Sequence, residues 1–217
     1  MLYKKIKIIE LNGDIMKPII GIVFRYGKSE NTESLYCYKQ IIDKIIKSNG
    51  IPIGINLSEK CKEQLNIING IILQGGDDYS QEEIEIVKYA HNNDIPILGI
   101  CQGMQIMGIA ACGELVEIKN HMKKNIDKAH IININKNSKI YEIIKKQVII
   151  VNSRHNYAIK NTTLQISSSK DNIIESIEDK NKKFFIGVQW HPESLNNNDS
   201  KKLFDYFIKK ASVKKWL

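Results

Sequence analysis

The chain has 217 residues, 42% hydrophobic and 26% charged, enough for one α/β domain with a sizeable core and too few for two ordinary ones. Its net charge of +8 comes from scattered lysines; no basic stripe with interleaved aromatics points to nucleic acid, and no apolar run is long enough to span a membrane. Cys37, Cys61, Cys101 and Cys112 form no CxxC pair and follow no secretory signal, so they read as reduced thiols in a cytoplasmic protein, and the histidines lack metal-ligand spacing.

Residues 1–16 precede the regular pattern and are set apart as an N-terminal extension; the domain is expected over 17–217. Pro18–Phe24 reads as a buried strand, followed by a polar loop over Arg25–Asn31. Apolar residues at three- and four-residue spacing predict a helix from Thr32 to Ser48, stopped by Gly50. Strand Ile51–Asn56, a short helix over Glu59–Asn66 and strand Gly70–Gln74 follow. Ser80 caps a helix running to Asn92, and strand Pro96–Ile100 leads into a helix over Gln102–Ala111. Strand–helix alternation at this pitch predicts a mostly parallel sheet with helices on both faces. The second half changes character, with strands expected at Glu114–Ile118, His130–Ile134, Val148–Val151, Leu164–Ser169, Asn172–Glu178 and Phe184–Gln189, some of them antiparallel. A helix over Lys201–Lys210 closes the chain.

Three motifs fall at the C-terminal ends of predicted strands, where α/β sites gather. Gly99-Ile100-Cys101-Gln102-Gly103 lies between a strand and a helix. A nucleophile there sits on a sharp turn that exposes it, and the helix N-terminus favours the thiolate. Gly187-Val188-Gln189-Trp190-His191-Pro192-Glu193 ends a strand with an imidazole and a carboxylate two residues on. A cysteine nucleophile needs such a base and a group to fix its tautomer. Leu73-Gln74-Gly75-Gly76-Asp77-Asp78 offers paired glycines; the Gly76 and Gln102 N–H groups could together bind a tetrahedral oxyanion.

GGDD, GICQG and GVQWHPE, in this order and spacing, resemble class I glutamine amidotransferases. KPIIGI, PILGICQGMQIM, VNSRHNYAI and IIESIEDKNKKFFIGVQWHPE look most like the freestanding γ-glutamyl hydrolases, the γ-glutamyl-γ-aminobutyrate hydrolase group. The resemblance runs from Lys17 to the C-terminus. It implies a flavodoxin-like fold with extra antiparallel strands and a Cys101, His191 and Glu193 triad. It also implies that Gln105 holds the glutamyl head group, that the substrate is a small γ-glutamyl conjugate, and that no metal or organic cofactor is required. Related hydrolases commonly read VNSxHHQAI where this chain has Val151-Asn152-Ser153-Arg154-His155-Asn156-Tyr157-Ala158-Ile159, so the leaving group stays open.

Only Arg25 and Arg154 are arginines among 32 basic residues, and both fall in loops expected at the active-site edge. A guanidinium grips carboxylate or phosphate in a two-pronged way that ammonium cannot. Arg25 and Arg154 are therefore expected to bind substrate, one on the glutamyl carboxylate and one on an anionic leaving group, with His155 and Asn156 beside them. A γ-glutamyl amine and a γ-glutamyl nucleotide phosphoramidate both fit; the latter is the substrate of the similar γ-glutamyl-CDP-amidate hydrolases of capsular phosphoramidate synthesis. The alternative activity is a glutaminase subunit supplying ammonia to a separate synthase, against which the chain length speaks. The sequence specifies no oligomeric state.

Overall fold

The computed structural model describes residues 17–29, 32–57 and 61–212. The expected extension over 1–16 and the expected helix start at Glu59 lie outside them. Among the described residues, nine strands form one sheet in the order β4-β1-β5-β6-β13-β12-β11-β8-β9. β1 (Ile19–Val23), β4 (Ile51–Ile55), β5 (Gly70–Leu73), β6 (Ile97–Ile100) and β13 (Phe185–Val188) run parallel. β12 (Ile173–Glu178), β11 (Gln165–Lys170), β8 (His130–Ile134) and β9 (Val148–Val151) extend it antiparallel. This is the α/β architecture that strand–helix alternation predicts.

Side chains alternate across the parallel half with the two-residue period of a strand. Ile72, Leu98, Ile100 and Ile186 enter a core cluster with Ile41 and Ile45 of α1 (Lys39–Lys47) and Phe204 and Phe207 of α6 (Asn198–Ala211). Ile71, Leu73, Ile97 and Phe185 face the other way, onto Ile86 and Val87 of α3 (Gln81–Asn92) and Met104 and Met107 of α4 (Gln102–Ala110). Both faces of these strands are dry, which is why they read as unbroken apolar runs. Ser80 caps α3 with a full capping box to Glu83.

Several elements differ from the sequence expectation. The described part of the loop expected over Arg25–Asn31, up to Ser29, and the first turns expected of the following helix instead form an antiparallel ribbon. Its strands are β2 (Arg25–Ser29) and β3 (Thr32–Tyr36), and α1 starts only at Lys39. Leu35 and Tyr38 fit a helical period, yet both are exposed, so burial did not reinforce that period. Two short elements were not anticipated. One is β10 (Tyr157–Lys160), which pairs with β7 (Glu114–Glu117) outside the main sheet. The other is α5 (Lys139–Ile144), capped by Ser138 and closed by Lys145 in a left-handed conformation.

Candidate active site

The parallel strands deliver their C-terminal ends to one edge, and each expected motif arrives there. Cys101 follows β6 and caps α4 with φ 52° and ψ −107°, a conformation L-residues rarely adopt. Its N–H donates to the Val188 carbonyl at 2.8 Å, so β13 holds the turn in register. The turn also needs Gly103, where an added Cβ would fall 2.1 Å from the Leu73 carbonyl oxygen. Close approach of α4 to β5 therefore depends on that glycine. The outcome is a buried thiol, 6% exposed, at the N-terminus of a helix.

From β13 the chain turns through His191 into a short 3-10 turn, Pro192–Ser194. His191 Nδ1 lies 2.7 Å from Glu193 Oε1, which orients the ring and leaves Nε2 for the sulfur. Asn152, at the end of β9, fixes this turn from outside: it accepts the His191 N–H at 2.8 Å and donates to the His191 carbonyl at 3.0 Å. Burial disfavours a charged His191 ring. Hydrogen bonds to Cys101 and Glu193, and the Glu193 charge, outweigh it and raise the pKa to about 10. The imidazole thus holds its second proton at neutral pH beside the sulfur.

After β5, Gln74, Gly75 and Gly76 bring the third motif against both groups. A Cβ on Gly75 would lie 3.0 Å from His191 Cε1, and one on Gly76 would lie 2.6 Å from Gln102 Oε1. Gly76 and Gln102 therefore stand side by side next to Cys101. The Gln105 side chain, one turn into α4, donates to the Tyr157 carbonyl at 3.0 Å and lies 3.3 Å from Gln189 Oε1. Gln189 in turn directs its Nε2 at Cys101 Sγ, 3.7 Å away. Sequence reasoning gave no role to Gln189 or Asn152, although both lie inside the quoted GVQWHPE and VNSRHNYAI strings.

Cys101, Gly76, Asp77 and Arg154 line both lobes of a cleft. One lobe, about 300 Å³, adds His191, Glu193, Ser194, Tyr38 and Gln40. The other, about 480 Å³, adds Gln102, Gln105, His155, Asn156, Tyr157 and Met122. The two arginines part company here. Arg154 is half-buried beside the cleft, with one NH2 contact to the exposed Asp127 at 3.1 Å and its Nε buried without a partner. Arg25 is 6% exposed and its whole fork is spent inside the protein: Nε on the Gly75 carbonyl, NH2 on the Gln74 carbonyl and NH1 on Glu83. Arg25, expected to grip substrate, thus pins the glycine loop to α3 and lines neither lobe. His155 is buried, its Nδ1 2.9 Å from the Tyr157 carbonyl; burial drives its pKa down to about 4, so the ring is neutral.

Known proteins are similar to this chain in sequence and in fold. The glutamine amidotransferase class-I family profile matches residues 33–211. A glutamine amidotransferase-like protein of Rickettsia prowazekii is 29% identical over 91% of this chain and 97% of its own length. A glutamine amidotransferase of Schizosaccharomyces pombe is 31% identical over 92% and 87%. CTP synthase of Pelodictyon phaeoclathratiforme is 28% identical, over 80% of this chain but only 39% of its own. In fold, the chain is similar to a GMP synthase subunit from Thermoplasma acidophilum, with a TM-score of 0.70 at 18% identity over 89% of this chain and 94% of that one. It is likewise similar to the glutaminase domain of a Trypanosoma brucei CTPS, with a TM-score of 0.68 at 17% identity over 93% and 96%. The chain belongs to the class I glutamine amidotransferase family.

Proposed function

We propose that the protein hydrolyses the γ-glutamyl amide bond of a small-molecule conjugate and releases glutamate through a thioester on Cys101. The observation that carries this reading is the strained Cys101 turn facing the His191–Glu193 pair. The Cys101 sulfur attacks the γ-carbonyl, and the resulting oxyanion lies between the Gly76 and Gln102 N–H groups. His191 gives its proton to the departing nitrogen as the C–N bond breaks, leaving the γ-glutamyl thioester. His191 then takes a proton from water, which attacks the thioester; the C–S bond breaks and frees glutamate, restoring the Cys101 thiolate beside protonated His191. Glu193 holds the ring and offsets its charge. None of these steps asks for a metal or an organic cofactor.

Proton delivery by His191 puts the leaving group in the lobe that His191 lines, and the glutamyl head group in the lobe of Gln105, His155 and Asn156. Arg154 borders both. With Arg25 engaged elsewhere, Arg154 is the cleft guanidinium that supports an anionic leaving group, as in a γ-glutamyl-CDP-amidate or γ-glutamyl-aminobutyrate. A second reading, a glutaminase supplying ammonia to a synthase, is favoured by the similarity to CTP synthases and to a glutaminase domain.

Glutamate release from glutamine, γ-glutamyl-aminobutyrate and γ-glutamyl-CDP-amidate separates the two readings. The hydrolase reading expects glutamine to be the poorest substrate, and Arg154→Ala to cut kcat/KM on the anionic conjugates by about ten- to a hundred-fold. Vigorous glutamine hydrolysis indifferent to Arg154 would favour the ammonia-supplying reading.

A further inference from the structure

Beside the cleft, the antiparallel half of the sheet carries a cluster that the reaction does not use. Glu175 of β12 is fully buried. Its Oε1 lies 3.1 Å from His121 Nε2 and 2.9 Å from His130 Nε2. His130 opens β8, two strands away. His121 comes from the segment before β8, fastened to the sheet where Lys123 N–H donates to the Ser153 carbonyl at 2.7 Å and the Ser153 hydroxyl to the His121 carbonyl at 2.9 Å. The three donor atoms all lie within 4.8 Å of one another. Two histidines nine residues apart thus converge with a glutamate 45 residues beyond the second on one point inside the protein.

Two features suit a ligand better than a closed hydrogen-bond network. Glu175 Oε2 is buried without a partner, and His130 Nε2, although close to Oε1, is not aligned to bond it. Buried polar atoms are ordinarily satisfied, so such orphans need an occupant. We propose that His121, His130 and Glu175 bind a divalent transition-metal ion of the zinc class. Two imidazoles and a carboxylate are a donor set that zinc favours. Bonds near 2.0–2.1 Å in tetrahedral array separate ligands by about 3.3 Å, so the two imidazole–carboxylate pairs, at 3.1 and 2.9 Å, need to spread only slightly. The ion braces the cleft wall: His155, whose ring packs edge-on to His121 at 4.7 Å, lines the lobe beside Cys101.

The competing arrangement is a protonated imidazole clamped on Glu175 with no ion, and the experiment distinguishes it. Full-length protein, stripped with a chelator and dialysed, is titrated with Zn²⁺ and with Co²⁺, reading metal content, cobalt absorption and thermal midpoint. The expected result is saturable uptake of about one ion per chain, with the midpoint raised by several degrees. Glu175→Gln and His130→Asn should each abolish both effects, whereas Cys101→Ser should retain them. His121→Asn provides a third ligand variant should either of the others fail to fold. Absence of saturable uptake by wild type would overturn the proposal in favour of the protonated clamp. Uptake that survives Glu175→Gln but is lost in Cys101→Ser would overturn it by placing the metal on the thiol.

Discussion

Replacing Arg25 with alanine leaves Glu83 buried without its cation, with only the Ser80 N–H still donating to it at 3.2 Å, because Arg25 NH1 is its ion-pair partner and both side chains are almost fully enclosed. Removing one member of such a pair costs about 3–5 kcal/mol, since an uncompensated charge stays behind. The carboxyl has an escape. Burial already pushes its pKa above the ordinary 4.5 against the pull of Arg25, so without the guanidinium it takes up a proton. That uptake costs at most roughly 1.4 kcal/mol per pH unit above 4.5, so its cost is larger at pH 7 than at pH 5. Lost hydrogen bonds to the Gln74 and Gly75 carbonyls add about 1 kcal/mol each. Arg25→Ala should therefore cost about 3–5 kcal/mol at pH 7 and less at pH 5. The sign follows from linkage: the folded variant holds a proton on Glu83 that the unfolded chain gives up, so stability falls as pH rises from 4.5. Urea unfolding at both pH values measures this, and adding Glu83→Gln should recover about 2 kcal/mol at pH 7 and little at pH 5. Activity on every γ-glutamyl substrate should fall together, because the loop carrying Gly76 loosens. A loss below about 1 kcal/mol at both pH values, with activity reduced only on anionic conjugates, would refute the positioning role and restore Arg25 to the substrate.

The catalytic turn should show a trade of stability for function: Cys101→Gly relieves the φ 52° strain that Cys101→Ala retains. Denaturant unfolding should find the glycine variant more stable than the alanine one by about 1 kcal/mol, with both inactive. His191→Ala should lower kcat by several orders of magnitude and Glu193→Gln by less, since the amide still holds the ring; single-turnover rates in the reverse order would invert their assigned roles. The His191 pKa, raised from 6.5 to about 10, contributes stability that is fully present below pH 6.5 and lost as pH rises through 10. Wild type should consequently lose more of its unfolding free energy between pH 6.5 and 10 than His191→Gln does, and parallel curves for the two would contradict the ion pairing.

The parallel half of the fold was legible because its strands are dry on both faces and its helices carry caps: Gly70–Leu73 and Ile97–Ile100 came out nearly as expected, and Ser80 marked α3. The positions of Cys101, His191 and Glu193 followed from the same periodicity, since each motif ends a strand and parallel strands share an edge. Segments lacking strong burial were misread. Thr32–Tyr36 is exposed throughout, so its helical spacing carried no energy, and pairing with Arg25–Ser29 prevailed. Tyr157–Lys160 was hidden because its partner, β7, lies far off in sequence. The two arginines illustrate a different limit. Their rarity flagged both, but one guanidinium is consumed by Glu83 and loop carbonyls while the other borders the cleft. Choosing between them requires knowing what lies within 3 Å, which no residue count supplies. Asn152 and Gln189 were missed for the same reason: their work is to hold His191 and face Cys101 through contacts made only by the fold.

The central claim is that Cys101 is the nucleophile toward a γ-glutamyl carbonyl, and covalent trapping tests it most directly. A glutamine-derived diazo-ketone should inactivate the protein with one label per chain, and peptide mapping should find that label on Cys101, with Cys37, Cys61 and Cys112 unmodified. Prior γ-glutamyl substrate should protect against it, and His191→Ala should slow it. Full inactivation with the label on another cysteine and Cys101 free would contradict the account.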